Sequence, residues 1–256
     1  MSNKKETFSS TLIFVFIICL VCAALVSFSA VSLKPMQKAN KLLDQHTKIL
    51  EASGLLAKAG NNIEGTYKKY ISAKLIDLAT GDFVKGNPDT FDERADSRDP
   101  SKSIKPKNDI AGINRRANHA VIYLVKDDSG KLTSVVLPIV GMGLWDIMYG
   151  YVGLEADLNT VKSVVYYELK ETPGLGAEVM NPKWKALWKG KQMFDSSNKV
   201  AIKIVKGGAQ PGDIHGVDAL SGATLTSRGV EHTLLFWFGD EGYGPFIAKF
   251  RHGGLS

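Results

Sequence analysis

Cysteine is nearly absent from this chain. Two of its 256 residues are cysteines, Cys19 and Cys22, and both lie inside an apolar run. No disulfide and no thiolate-ligated metal can therefore form in the rest of the chain. The two thiols sit three apart, on one face of a helix. That spacing is open to a membrane metal or redox pair, although small apolar side chains in a buried helix is the plainer reading. Histidine is sparse too. The five imidazoles, at 46, 119, 215, 232 and 252, show no ligand spacing, so no metal site is expected. A Gly-Lys-Ser/Thr phosphate loop is missing, as is a Gly-x-Gly-x-x-Gly turn after a strand, which excludes the common nucleotide folds. Without a Gly-x-Ser-x-Gly elbow, a serine hydrolase is excluded as well. The net charge of +6 admits an anionic partner. However, the cations are spread along the chain, and the densest group, residues 102–116, has no interleaved aromatics, so nucleic acid is not expected as a partner.

Charge is also missing from residues 11–33, TLIFVFIICLVCAALVSFSAVSL. At 1.5 Å per residue these 23 residues cover a hydrocarbon core of ~30 Å. The run exceeds the ~7–15 apolar residues of a cleaved signal, so an uncleaved membrane anchor is expected. Lys4 and Lys5 precede it, and Lys34, Lys38, Lys41 and Lys48 follow. That count favours a cytoplasmic main domain, but long domains can translocate regardless of flanking charge. The expected division is a tail and anchor at 1–34, an amphipathic connecting helix at 35–60 and one domain at 61–256. Met36, Ala39, Leu42, Leu43, His46, Ile49 and Leu50 give the connector its helical period.

Within the domain, residues 70–78 alternate as a strand. Residues 79–109 are polar and read as a long surface excursion. A hairpin is expected from 119–126 and 132–140 around Asp127-Asp128-Ser129-Gly130, with Pro138 marking an edge or bulge. Further strands are expected at 147–154, 161–169 and 200–206, and helices at 182–188 and 226–238. The fold class is α+β: a single, largely antiparallel sheet domain tethered by one N-terminal transmembrane helix.

Three loops could build a site. GMGLWD, 141–146, follows a strand and offers Leu144 and Trp145 as a broad face for a flat ring. A tight turn with a core tryptophan would read the same way. ETPGLG, 171–176, is shaped by Pro173 and its glycines, and could present the amides of Thr172, Gly174 and Leu175 to ring carbonyls or nitrogens. DALSGATLTSRGVEH, 218–232, places Ser221, Gly222 and Ala223 before Thr224, Leu225 and Thr226, and then enters a helix. A helix N-terminus behind an open threonine suits a phosphate, with Lys206 and Arg228 adding charge. Thr226 or Ser227 could instead simply cap the helix.

GMGLWD, ETPGLG and SGATLT, in that order behind an anchor helix, resemble the covalent-FMN subunit of the sodium-translocating NADH:quinone oxidoreductases and, more distantly, the corresponding flavin subunit of the Rnf electron-transport complexes. The resemblance covers essentially the whole chain. It implies that Thr224 carries FMN through a phosphoester, with Ser221, Gly222, Ala223, Leu225 and Thr226 around it and Thr226 as the competing hydroxyl. It implies that a flavin transferase moves FMN from FAD, reading the motif with Asp218 as the upstream acid. It also implies a periplasmic domain on the bacterial inner membrane, other redox subunits as partners, and a role as electron carrier in a sodium-pumping translocase, without catalysis by the chain alone or an NADH site of its own. On that reading Leu144 and Trp145 pack on the flavin ring, and Thr172, Gly174 and Leu175 bond its polar edge. Lys206 offsets negative charge. The rival readings are an Rnf-type protein, a noncovalent flavoprotein, and a membrane-tethered scaffold whose loops are mere turns.

Overall fold

The computed structural model describes residues 7–251. Lys4, Lys5 and His252 lie outside the described residues. The chain divides into two compact units, residues 1–45 and 46–256. The first consists of most of α1, a helix spanning Phe8–Ala52. Its N-terminal part is long and apolar enough to cross a membrane. The expected division at residue 34 falls inside this helix, because Pro35 does not end it. Proline costs one backbone hydrogen bond, but good helix formers flank it here (Leu33, Lys34, Met36, Gln37 and Lys38) and continue the turn.

In the second unit, the end of α1 is followed by α2 (Leu56–Ala59) and α3 (Ile63–Tyr70). The Asn62 side chain caps α3 by accepting from Gly65 N at 3.0 Å. The chain then enters β1 (Ile71–Asp77) and β2 (Phe83–Val84), α4 (Glu93–Arg98), and the short strands β3 (Ser103–Ile104) and β4 (Arg116–Ala117). Residues 79–109 are thus more than a plain excursion. Their polar residues are structural, since Asn87 and Asp92 cap a 3-10 turn and α4.

The long strands β5 (His119–Lys126), β6 (Leu132–Met142), β7 (Ile147–Glu155) and β8 (Val161–Glu168) complete a six-stranded antiparallel sheet, in the order β2-β1-β5-β6-β7-β8. The β5–β6 turn forms as expected, with Asp127 Oδ1 accepting from Ser129 N and Lys131 N at 2.9 and 3.0 Å.

Helix α5 (Pro182–Ala186) precedes two three-residue strands, β9 (Lys203–Val205) and β10 (Gly216–Asp218), which pair in parallel. Helices α6 (Thr224–Trp237) and α7 (Gly244–Phe250) end the described fold.

Both faces of the sheet are covered. Along β5, Ala120, Ile122 and Leu124 enter a core shared with Val230, Leu234, Trp237 and Phe246. The alternate residues Val121, Tyr123 and Val125 enter a second core with Ile49, Leu50 and Ala52. Two-sided burial explains why β5 reads as an unbroken apolar run. Pro138 sits where β6 has parted from β5: their pairing stops at Val136, although β5 itself runs back to His119. The carbonyls exposed beyond that point find side-chain donors: Tyr243 Oη donates to Pro138 O at 2.8 Å, and Trp237 Nε1 to Val140 O at 2.7 Å. These bonds fasten the α6–α7 layer to β6, and with it the loop that enters α6.

Candidate functional site

Helix α6 opens at Thr224, two residues earlier than expected. Its cap differs from the expected one as well. Neither Thr226 nor Ser227 closes the first turn; Ala223 occupies the N-cap and has no side-chain acceptor to offer. The first-turn amides are therefore left for an external acceptor, the condition that makes a helix start an anion site. Ser227 Oγ instead accepts from Leu220 N at 3.0 Å and pins the preceding loop. Gly222 turns that loop with φ +72°, a left-handed conformation costly for any residue with a Cβ. The outcome is an exposed Thr224 flanked by exposed Ser221, Gly222 and Leu225, with Ala223 buried beneath.

Thr226 points the other way. Its side chain is 0% exposed, and Oγ1 donates to Glu171 Oε2 at 2.5 Å. Thr224 and Thr226 are both candidate hydroxyls by sequence; one faces solvent and the other is sealed.

Thr224 lies on a cleft of about 580 Å³ with Ser221, Gly222, Lys206, Asp218 and Arg228. Lys206 follows β9 and is exposed, as is Arg228, the fifth residue of α6. Among the described residues neither cation has an ion-pair partner. Asp218 closes β10, where Oδ1 accepts from Ala209 N at 2.8 Å and the main-chain carbonyl accepts from Trp184 Nε1 at 2.9 Å. Two acids share the cleft with these cations, Asp218 and Glu231, and each accepts a main-chain amide: Glu231 Oε1 takes one from Ile204 N at 3.1 Å.

The other two loops meet at Glu171. This side chain is buried, at 5% exposure, and its Oε1 accepts from Leu144 N at 2.8 Å and Trp145 N at 3.0 Å. Through Oε2 it reaches Thr226 on α6. Leu144 and Trp145 stay exposed at 41% and 65%, and Trp145 Nε1 donates to Thr172 Oγ1 at 3.2 Å. Thr172 and Gly174 are exposed on the second loop. The Leu175 N–H, however, closes that loop by donating to Thr172 O at 3.1 Å, so its amide is engaged within the turn. Leu175 offers its exposed side chain instead, beside Gly222. Asp146 is held below the ordinary carboxylate range, chiefly by the hydrogen bond from Lys170.

The three loops expected to form a site therefore do converge, and residues 143–238, which contain all three apart from the first two residues of GMGLWD, match the FMN-binding domain family. NqrC of Vibrio vulnificus, from its Na(+)-translocating NADH-quinone reductase, is 51% identical over 255 residues, 99% of each chain. Its counterpart in Haemophilus ducreyi is 47% identical over 250 residues, 97% of this chain and 96% of that one. The chain belongs to the NqrC family of the Na(+)-translocating NADH-quinone reductases. The crystal structure of Shewanella oneidensis NqrC superposes with a TM-score of 0.81 at 47% identity, covering 84% of this chain and 100% of that one. The NqrC structure from Parabacteroides distasonis gives 0.67 at 27% identity, covering 84% and 96%. The NqrC relatives are thus matched end to end, and the expected α+β fold is the fold found.

Sequence reasoning passed over Glu171 except as the first letter of a loop. A lone acid has no motif. The available signal was its setting, an acidic residue opening a glycine-rich loop.

Proposed function

We propose that this chain is the flavin-carrying electron relay of a sodium-pumping NADH:quinone reductase, with FMN joined to Thr224 through a phosphoester. The observation that carries the reading is the contrast between Thr224, exposed at an uncapped helix start in a cleft that Lys206 and Arg228 help to line, and Thr226, buried against Glu171. The residues present suit the group. A phosphate on Thr224 Oγ would meet the first-turn amides and the Lys206 and Arg228 charges. Exposed Leu144, Trp145 and Leu175 would supply the apolar face for the ring, and the Thr172 and Gly174 amides its polar edge. Ser221, Gly222, Ala223 and Leu225 leave the hydroxyl free to attack a phosphorus atom.

Attachment forms a Thr224 Oγ–P bond and breaks the phosphoanhydride of FAD. AMP leaves, and the hydroxyl proton passes to a base on a flavin transferase that reads Asp218 and the small residues. When bound, FMN supplies reversible electron storage; the protein orients it and tunes its potential. A covalent bond lets a shallow, exposed site keep its flavin while partner subunits exchange electrons with it. The apolar part of α1 anchors the chain in the bacterial inner membrane, with the flavin domain on the periplasmic side.

Intact mass after co-expression with the transferase tests this. At the end point of loading, wild type and Thr226→Ala, however slowly the latter loads, have gained one FMN less one water, and Thr224→Ala has gained nothing. A flavin that leaves on denaturation, with no mass gained, sinks the covalent reading.

A further inference from the structure

We propose that Glu171 is a positioning residue for flavin attachment, holding Thr224 in register with the two ring-side loops. This deepens the reading above and rests on it. Glu171 comes from the second loop, bonds two successive amides of the first loop through one oxygen, and bonds the first turn of α6 through the other. Among the described residues no cation neutralises it. Glycines press on it from both sides: a Cβ at Gly143 would meet Oε1, and a Cβ at Gly176 would meet Oε2. A buried carboxylate with three donors and no counter-ion carries a desolvation penalty that a merely structural tie between loops would not need. Its geometry, however, is what places Thr224. Thr226 is two residues along the same helical turn, so anchoring its hydroxyl fixes the azimuth of α6 and hence the direction in which Thr224 emerges. The same carboxylate fixes where Leu144 and Trp145 lie relative to that hydroxyl.

The bonding pattern supplies its own control. Both loop amides use one oxygen, so the carbonyl of Glu171→Gln can accept both. Its amide group can then donate to Thr226 Oγ1, whose hydroxyl is free to turn. Glu171→Ala and Thr226→Val each cut the link to α6. The experiment follows mass gain over time in the purified full-length chain, in detergent, given FAD and the transferase, with thermal melting of each flavin-free variant beside it. Glu171→Gln should load within about threefold of wild type, while Glu171→Ala and Thr226→Val load about tenfold slower or worse, as displaced reacting groups do. Thr226→Val nearly preserves buried volume and keeps the test decisive if Glu171→Ala fails to fold. Folded Thr226→Val, or folded Glu171→Ala, loading at the wild-type rate overturns the positioning role alone. So does a Glu171→Gln chain that loads as slowly as Glu171→Ala. A wild-type chain that gains no mass overturns the covalent reading, and this inference with it.

Discussion

At Gly176 the backbone passes so close to Glu171 that an added Cβ would strike Oε2 and lie 2.6 Å from Thr226 Oγ1. Both atoms belong to buried side chains already bonded to each other, so neither can yield easily. Gly176→Ala should therefore destabilise the folded chain by about 1–3 kcal/mol, the usual cost of overpacking. A urea titration would show this as a lower midpoint at unchanged slope. An unaltered midpoint would mean that the loop is more compliant than its packing implies. At this scale the sequence is half legible. The open setting of Thr224 among its small neighbours is readable, because it depends on local spacing. Glu171 is not, because its three partners come from other segments, and only folding brings residues 144, 145 and 226 to it.

At the scale of elements, the strands with the strongest local signal lie where expected. Residues 119–126 and 132–140 carry alternation, β-branched residues and an Asp-rich turn, and they form β5 and most of β6. The weaker elements depend on tertiary contacts. Strands β9 and β10 are three residues each and exist by pairing across a ten-residue gap. Helix α6 starts before its expected position, at a cap residue, Ala223, that local preference would not select.

The short helix α4 gives a pH prediction. Desolvation pushes Glu93 from 4.5 up to about 7, against the pull of Arg94 and Arg116. Between those values the folded state binds the proton that the unfolded state has lost, so stability falls as pH rises through that window. Glu93→Gln removes the penalty. Its melting temperature should match wild type below pH 4.5 and exceed it by a few degrees above pH 7. Equal melting temperatures at pH 8 would show that Glu93 carries no such penalty.

For the whole molecule, the boundary between anchor and domain is not the boundary between hydrophobic and polar sequence. Ile49, Leu50 and Ala52 are wholly buried, and they belong to the core on one face of the sheet. A chain starting at residue 46 keeps them and should be a soluble, cooperatively melting protein. A chain starting at residue 54 loses the two large ones, worth roughly 3–6 kcal/mol of burial, and uncovers Val121, Val136 and Tyr151. Side-by-side melts would separate the two, and equal stability would place the last turns of α1 outside the fold proper.

The opposed directions of Thr224 and Thr226 also impose a sequence of events on the molecule's assembly. In an unfolded chain the two hydroxyls are equally accessible. Once α6 has docked, only one is on offer. Choosing between them is therefore a property of the finished fold rather than of the motif, and the proposed modification would have a natural checkpoint: a chain that has not yet folded offers an ambiguous substrate, and a folded one does not.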